Sequence, residues 1–380
     1  MNFYRPNEKK EMGQIDYGIF YTLCILLSIG VVMVYSTSSF YAMFHNNDSM
    51  YFFKRQLIWA IIGVISMSVM MSIDYHKLKK ITPKLLLLTI PLLIAVFFFP
   101  AINGAKRWIS LGPLSFQPSE LTKYAVVMFL ALSIDIKGDK IKEFWSGLIP
   151  YLCVSGIFAG LILAEHNMSI ASIIMIVTFI MLFVAGGKIK HLFGIIMPAM
   201  LTLAIFFIFS SDYRRERMLN FIDPWKDAAD AGYQLIQSFL ALGSGGLTGL
   251  GIGQSRQKTL YMPEPHNDFI FSIIGEELGL IGCLVIIGLF LIFIWRGIKI
   301  AMTAKDTYGK LLAVGITSII AVQAIINIAV VTGSMPVTGV PMPFISYGGT
   351  SLVINLTAMG ILLKTETIQS GSGGNLPGSW

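Results

Sequence analysis

The sequence predicts an all-α integral membrane protein, and two observations carry that prediction. Hydrophobic residues make up 55% of the 380 residues, whereas charged residues make up only 13%. A soluble domain usually carries about 25% charged residues, so this chain lacks the polar surface that a fold in water requires. Its apolar residues are also gathered into runs of roughly 20, the length at which an α-helix crosses a bilayer.

Ten such runs are predicted to be transmembrane helices. They cover residues 17–38, 56–73, 83–100, 118–134, 147–164, 168–186, 190–210, 268–295, 310–333 and 345–364. Only Glu165, His166 and Asn167 separate the fifth from the sixth, which predicts a tight turn with polar caps. Around these helices the sequence divides into three predicted parts: a cytoplasmic N-terminal segment (1–16), one polytopic membrane domain (17–364) and a flexible tail that partly resembles an added linker (365–380).

Lysine and arginine are concentrated in every second connection between these helices. If the N-terminus is cytoplasmic, the short outside loops carry only Lys54, Arg55, Lys106 and Arg107. The positive-inside rule then predicts that both termini are cytoplasmic and that residues 211–267 form a large extracellular loop between helices 7 and 8. The same rule accounts for most of the net charge of +7, so no nucleic-acid partner is predicted.

The 211–267 loop is predicted to be ordered. GYQLIQSFLAL places Tyr233, Ile236 and Phe239 or Leu240 at helical spacing, with Gln234, Gln237 and Ser238 on the opposite face. This pattern predicts a short amphipathic helix at the membrane interface. The glycine-rich GSGGLTGLGIG follows, and irregular backbone at a membrane is expected inside protein or beside a wet cavity. It lacks the Lys-Ser/Thr ending of a nucleotide-binding loop, so no ATP site is predicted. His266 has no second histidine at ligand spacing and is interpreted as a positioning or structural group.

Asp268 stands where this loop meets the eighth apolar run, which also contains Glu276 and Glu277. Carboxylates at and inside a membrane segment are costly and need a reason. One interpretation is a helix cap, in which Asn267 or Asp268 satisfies free N–H groups. The other is a general base, because a carboxylate at a helix N-terminus stays ionised. The residues alone leave both open, and a helix that began at Asp268 would place Ser272 and Glu276 on the same face.

Further candidates lie in RWISLGPLSFQPSELTK. Glu120 and Lys123 are three residues apart at the start of the fourth helix and are predicted to share a face. They form either a structural ion pair or a functional pair, in which the carboxylate of Glu120 orients the ammonium of Lys123 toward an anionic ligand. Trp108, beside Arg107, is either an interfacial belt residue or a stacking platform for a sugar.

Arg214, Arg217 and Lys258 supply positive charge to the outer loop. They contact either anionic lipid headgroups or a pyrophosphate, for which a guanidinium fork is suited.

Gln323 and Asn327 form a polar pair in the ninth helix, before a proline- and glycine-rich stretch. That stretch is interpreted as a rigid outer turn or as the wall of a lipid-facing groove. Polar groups thus converge on the outer face, which suits an anionic lipid-linked substrate and leaves transport open.

The chain resembles the SEDS family (shape, elongation, division and sporulation), which includes RodA, FtsW and SpoVE. The stretches that carry the likeness are GYQLIQSFLALGSGGLTGLGIGQSRQKTLYMPEPHNDFIFSIIGEELG, GAKRWISLGPLSFQPSELTK and TGVPMPFISYGGTS. They look more like the FtsW/SpoVE branch than like RodA. The resemblance implies a ten-helix bundle in the bacterial cytoplasmic membrane and a peptidoglycan glycosyltransferase that polymerises lipid II. It also implies a class B penicillin-binding protein as partner, together with other division, elongation or sporulation proteins.

The resemblance also implies roles for individual residues. The aspartate of the HxDFIF motif, here Asp268, is implied to be the catalytic carboxylate, and Trp108 is implied to be functionally important. Glu120 and Lys123 match residues that line the family's central cavity. Many relatives carry a QPDLG-like turn where this chain has AEHNMS, so the family role is not carried over to Glu165.

A mechanism follows as a hypothesis. Asp268 accepts the proton of the acceptor hydroxyl while undecaprenyl pyrophosphate leaves the donor. Lys123, Arg107, Arg214 and Arg217 would stabilise the departing charge, with a divalent cation, Mg²⁺ or Mn²⁺, as a candidate cofactor. The rival hypotheses are a lipid II flippase, which needs no base, and a scaffold that recruits a transpeptidase. The position of Asp268 at the outer edge favours the enzyme, since transporter sites usually lie near the midplane.

Overall fold

The computed structural model describes residues 16–101, 105–112, 114–210, 212–229, 232–259 and 261–370. As predicted, this part of the chain is almost entirely helical. Its α-helices are α1 (Tyr17–Asn46), α2 (Tyr51–Ser72), α3 (Leu78–Ala95), α4 (Pro118–Lys137), α5 (Ile149–Ala164), α6 (Met168–Val184), α7 (Ile189–His191), α8 (Met197–Phe209), α9 (Asp212–Ile222), α10 (Tyr233–Gly245), α11 (Ile270–Thr303), α12 (Thr307–Val331) and α13 (Gly349–Ser370). A short antiparallel hairpin, β1 (Ile109–Leu111) with β2 (Leu114–Phe116), lies between α3 and α4.

The chain is a multi-pass membrane protein. Within the described residues, seven helical stretches are long and apolar enough to cross a membrane: Tyr17–Asn46, Tyr51–Ser72, Tyr75–Phe98, Phe144–Ala164, Ile189–Phe209, Ile270–Thr303 and Thr307–Val331. Two further apolar helices, Met168–Val184 and Gly349–Thr365, are shorter, and α4 is charged at both ends. Each of the ten predicted segments therefore coincides with a helix.

Helix α12 lies in the centre of the bundle, packed against α4, α6 and α11. It is buried on nearly every turn, for example at Leu312, Ile316 and Ile320. Helix α8 is as apolar but buries none of its residues. A helix that is apolar all round belongs either inside a core or against lipid, and the two helices represent these two cases.

The predicted amphipathic helix is present as α10, but the prediction of its buried face was partly wrong. Leu240, predicted on the apolar face, is exposed. Ser238, predicted on the polar face, is fully buried, and its hydroxyl donates to the carbonyl of Val331 at 2.8 Å. The reason is tertiary: α10 packs against α11 and α12, so its buried side is set by those neighbours and not by a flat membrane surface.

Helix α11 is broken at Gly279, whose backbone (φ 66°, ψ −167°) leaves the helical region. The glycine-rich run after α10 repairs the break. The N–H groups of Leu250 and Gly251 donate to the carbonyls of Glu276 and Glu277, each at 3.0 Å. From the other side of the break, Leu280 and Ile281 donate to the carbonyls of Gly246 and Leu247 at 2.9 and 3.1 Å.

The glycines of this run are required by the close approach of two backbones. A Cβ at Gly245 would collide with the carbonyl oxygen of Gly275, and one at Gly249 with that of Glu277. Unpaired backbone groups are very costly inside a bilayer, so the run acts as a hydrogen-bonded splint across the break. We call residues 245–251 the splint.

Candidate active site

Asp268 lies just before α11, at the end of the loop that follows the splint. The predicted helix start at residue 268 was early by two residues, because α11 begins at Ile270 with Phe269 as its N-cap and no side-chain cap. Asp268 therefore does not cap the helix. Its backbone carbonyl accepts a hydrogen bond from Nδ2 of Asn327 at 2.7 Å, and the same nitrogen donates to the carbonyl of Val340 at 2.7 Å. Asn327 thus ties the catalytic candidate to the loop before α13.

The carboxyl group of Asp268 lies in an environment that disfavours its charge. Burial and the nearby carboxylate of Glu264 raise the pKa of Asp268 to about 6, against the opposing pull of Arg107 and Arg217. Gly339, at φ 66°, lies against it, and a Cβ there would be 3.2 Å from Oδ2. A carboxylate whose pKa approaches neutrality is a better proton acceptor than an ordinary aspartate.

The structure brings two of the predicted arginines close to Asp268. The guanidinium of Arg107 donates to the backbone carbonyl of His166, and Nη1 of Arg217 donates to the carbonyl of Val337 at 3.3 Å. Both are near enough to lower the pKa of Asp268. The side chain of Arg214 lies outside the described residues. Two fork-shaped cations next to one carboxylate suit an anionic group that approaches Asp268.

Glu165, at the turn between α5 and α6, is a second carboxyl group near Arg107. It is fully buried, and neither carboxyl oxygen has a hydrogen-bond partner within the described chain. Burial raises the pKa of Glu165 to about 8, although Arg107 partly opposes the shift. The predicted capping role belongs to Asn167, whose Oδ1 accepts from the N–H of Ile170 at 3.3 Å. A carboxylate at the end of an apolar run was the sequence signal for a buried acid here.

His266 packs its ring among aromatic side chains. Its ring centroid lies 4.3 Å from that of Phe52, 5.6 Å from that of Tyr41 and 5.7 Å from that of Tyr347. Burial lowers the pKa of His266 to about 4, so the imidazole is neutral at pH 7. Its backbone carbonyl accepts from the N–H of Tyr347 at 2.9 Å, which fastens the loop to the segment before α13.

Glu120 and Lys123 form the predicted i, i+3 pair, with Nζ 3.0 Å from Oε2. Both side chains are almost completely buried. Glu120 lines a small cavity with Gln323 and Asn355, beneath the loop before α13. Trp108 is half-exposed directly before β1. Glu120 of α4, Gln323 of α12 and Asn355 of α13 thus bring polar side chains together inside the bundle.

Lys258 is engaged away from this group. Its ammonium lies 2.7 Å from Oε1 of Glu277 and 3.2 Å from the hydroxyl of Ser36. The sequence left Lys258 as a contact of either lipid headgroups or a pyrophosphate, and a cation paired with a buried carboxylate offers little net charge to such a ligand.

Backbone strain is concentrated around Asp268. His166 (φ 59°), Glu264 (φ 45°) and Phe344 (φ 65°) are three of the non-glycine residues with positive φ in the described chain. Residues other than glycine adopt this region at a cost of order 1–3 kcal/mol. Glu264 lies in the loop that ends at Asp268, and Phe344 lies in the segment before α13 that contacts this loop. The carbonyl of His166 accepts a hydrogen bond from Arg107. Strained backbone of this kind is typical of functional sites.

Residues 17–370 match the family described as cell cycle protein, FTSW_RODA_SPOVE. A probable peptidoglycan glycosyltransferase FtsW from Geobacter sp. (strain M18) is 45% identical over 352 residues, covering 92% of this chain and 95% of the relative. The stage V sporulation protein E of Bacillus subtilis (strain 168) is 43% identical over 348 residues, covering 90% of this chain and 94% of the relative.

Solved structures share the same fold. A chain from a peptidoglycan synthase complex, studied for its coordination of polymerization and crosslinking, superposes with a TM-score of 0.77 at 26% identity, covering 94% of this chain and 99% of that chain. The rod shape determining protein RodA of Thermus thermophilus superposes with a TM-score of 0.70 at 25% identity, covering 93% of this chain and 97% of that one.

Proposed function

The chain belongs to the FtsW/RodA/SpoVE family, and from that premise we infer that it is a peptidoglycan glycosyltransferase. Relatives that match over nearly their whole length carry this activity in their names. The observation that supports a transferase site in this chain is the half-buried carboxyl group of Asp268, whose pKa is raised to about 6 beside two arginines.

We propose the following reaction. The carboxylate of Asp268 accepts the proton of an acceptor sugar hydroxyl, and that oxygen bonds to the anomeric carbon of the donor. The bond between the anomeric carbon and the phosphate oxygen breaks, and undecaprenyl pyrophosphate leaves with its electron pair. Arg107 and Arg217 stabilise the departing negative charge. One displacement without a covalent intermediate inverts the anomeric centre.

The substrate, membrane and partner of this reaction are proposed in the same way. We propose lipid II as substrate, handled on the outer face of the bacterial cytoplasmic membrane by a ten-helix domain with both termini inside. A class B penicillin-binding protein is the proposed partner, and the similarity to a chain from a peptidoglycan synthase complex supports it.

The cation proposed as a cofactor, Mg²⁺ or Mn²⁺, has no ready-made ligand set within the part of the chain that the structure describes. Among the described residues, no group of three His, Cys, Asp or Glu side chains could hold a metal ion. Such cations need carboxylate and other oxygen ligands, and the pyrophosphate of the proposed substrate offers oxygens of this kind. The proposed steps use protein groups alone.

The test is polymerisation of purified lipid II by Asp268→Asn. Removal of a general base costs about 10²–10⁴-fold in rate, so polymer formation should fall by that factor while thermal stability is kept. Asp139→Asn, the same change at an exposed helix end, is the matched control and should polymerise like the wild type.

The same variants separate the enzyme from a flippase. A flippase needs no base, so Asp268→Asn should then still move lipid II across proteoliposomes, and no variant should make polymer. Wild-type rates of polymerisation by a folded Asp268→Asn protein would contradict the assignment of the base.

A further inference from the structure

The carboxylate of Glu276 holds a turn of the outer loop. Its oxygens accept from the N–H of Arg256 at 2.9 Å, from the N–H of Gln257 at 3.4 Å and from the hydroxyl of Ser255. The hydroxyl oxygen of Ser255 in turn accepts from the N–H of Lys258 at 3.2 Å. A side chain of α11 therefore caps the turn 255–258 from inside the bundle.

Glu277 holds the same turn through charge. Its Oε1 lies 2.7 Å from the ammonium of Lys258, and its two oxygens lie 2.8 and 2.7 Å from the hydroxyl of Ser36 on α1. The backbone N–H of Ser255 adds a weak contact at 3.4 Å. Glu276 and Glu277 are buried to 1% and 0% exposure, and the cluster joins α1, α11 and the loop through their carboxylates.

Such a cluster is a poor device for stability alone. Replacing a buried ion pair by apolar residues of similar volume is often neutral or stabilising by about 1–4 kcal/mol. A buried pair is better understood as a constraint on geometry, since carboxylates and N–H groups bond only in a narrow range of distance and angle.

The constrained turn leads directly to Asp268. The N–H of Met262 donates to the carbonyl of Gln257 at 2.9 Å, and its sulfur accepts from the hydroxyl of Ser272 on α11 at 3.6 Å. The far end is held where Asn327 donates to the carbonyl of Asp268. The segment 255–269 is therefore fastened at its start by Glu276 and Glu277, at its middle by Ser272 and at its end by Asn327.

We propose that Glu276 and Glu277, together with Lys258, are positioning residues for the transfer reaction: they hold the segment 255–269 so that the Asp268 carboxylate meets the acceptor hydroxyl. This inference rests on the proposed role of Asp268 as the base. Glu276 itself is six residues inside α11, about 9 Å along the axis from its start, and its carboxylate is engaged by the turn 255–258. A displacement of about 1 Å at a reacting group can cost 10²-fold in rate.

The first experiment is Glu276→Gln in the lipid II polymerisation assay. Glutamine offers one acceptor where three donors converge, and its own NH₂ adds two donors. We expect kcat to fall by about ten- to hundredfold with KM nearly unchanged. Glu143→Gln, the same change at an exposed glutamate, is the matched control and should keep the wild-type kcat.

The pH profile supplies a readout that a purely structural role would not change. The groups that act on Asp268 are Glu264, Arg107 and Arg217, besides its burial. A loosened segment admits water to Asp268, which lowers its pKa toward the usual value of about 3.9. The acid limb of kcat/KM in Glu276→Gln should therefore move to lower pH.

Two milder variants cover the case in which Glu276→Gln does not fold. Ser255→Ala removes one hydroxyl donor and should lower kcat in the same direction by several-fold. Lys258→Met with Glu277→Gln removes both buried charges together, so it avoids the unpaired charge that either single change leaves. This double variant should keep the wild-type melting temperature and still lose kcat.

The outcomes separate this inference from the proposed function. If Asp268→Asn is inactive while folded Ser255→Ala, Glu276→Gln and the double variant all keep the wild-type kcat and acid limb, the positioning role is overturned and the base stands. If Asp268→Asn polymerises normally, the base itself is overturned, whatever the Glu276 variants do.

Discussion

Two buried regions of this membrane protein treat carboxylates in opposite ways. At the break in α11, Glu276 accepts from two backbone N–H groups and a hydroxyl, and Glu277 is paired with Lys258. At the turn between α5 and α6, Glu165 is just as deeply buried, but neither of its oxygens has a hydrogen-bond partner within the described residues.

The difference teaches which buried acids hold structure and which are available for chemistry. A partnered carboxylate stays charged and fixes the backbone around it. An unpartnered one is neutralised instead, because burial disfavours charge, and its pKa moves into the range where protons are exchanged. Asp268 is nearer to the second kind, with a pKa raised to about 6 beside Arg107 and Arg217.

The pH dependence of the wild-type enzyme is the largest test of this contrast. With the pKa of Asp268 raised to about 6, the proposed base is protonated below that pH. We expect kcat/KM for lipid II polymerisation to fall about tenfold per pH unit below 6. If kcat/KM stays constant down to pH 4.5, the pKa of Asp268 is that of an ordinary, solvated carboxylate and the contrast is contradicted.

Breaking the Glu120–Lys123 pair tests how much a partner of a buried carboxylate contributes to the free energy of unfolding. Lys123→Met leaves the buried carboxyl group of Glu120 without its partner, which costs about 3–5 kcal/mol of unfolding free energy. Thermal unfolding in detergent measures the loss. Adding Glu120→Gln to Lys123→Met should recover most of it, and a double variant as unstable as the single one would show that packing, and not charge, was lost.

Glu165→Gln should change the free energy of unfolding in the opposite direction from a substitution at a partnered acid. The pKa of Glu165 is about 8 in the folded protein and about 4.3 in an unfolded chain. Between these two pH values the folded state binds one more proton than the unfolded state does. The stabilisation from this proton is therefore complete below pH 4.3 and is lost as the pH rises to 8. Glu165→Gln should remove this decline and stabilise the protein at pH 8 by about 1–3 kcal/mol.

Glu277→Gln provides the comparison for Glu165→Gln. Because it leaves the ammonium of Lys258 without its carboxylate, we expect a lower melting temperature at every pH. Measured side by side between pH 5 and 8, the two glutamine variants should move the melting temperature in opposite directions at pH 8. Equal losses in both would contradict the distinction between the two regions.

The smallest effect is expected at His266. Its imidazole is neutral, with a pKa lowered to about 4, and its ring packs against Phe52. His266→Phe keeps the aromatic packing, so we expect less than about 1.5 kcal/mol of change in unfolding free energy. Polymerisation should retain its acid limb near pH 6, and a limb that vanished with the imidazole would transfer the role of the base from Asp268 to His266.

Much of this arrangement was accessible from residue patterns. Each of the ten predicted apolar runs coincides with a helix, and seven of them lie in stretches long and apolar enough to span a membrane within the described chain, because helix length and apolarity are encoded in local composition. The Glu120–Lys123 pair followed from i, i+3 spacing on one helix. The motifs around Asp268 indicated the family before any superposition with known folds.

Other features depended on contacts between distant segments and were missed or misassigned. Lys258 was expected among substrate ligands but pairs with Glu277, 19 residues away. Asp268 was expected to share a helix face with Glu276, yet α11 begins after Asp268, and Glu276 faces the turn 255–258. The contact between Asn327 and the carbonyl of Asp268 joins residues 59 positions apart, which no periodicity reveals.

By itself, the sequence determined the class of protein and the positions of its apolar helices, and it singled out Asp268 as the candidate acid. These depend on local hydrophobicity and spacing, which each segment carries alone. Only the tertiary structure decided which buried carboxylates are neutralised and which are partnered. The cost of a buried charge depends on donors that other segments bring to it, and here α1 and the 255–258 turn bring them to the carboxylates of Glu276 and Glu277 but not to that of Glu165.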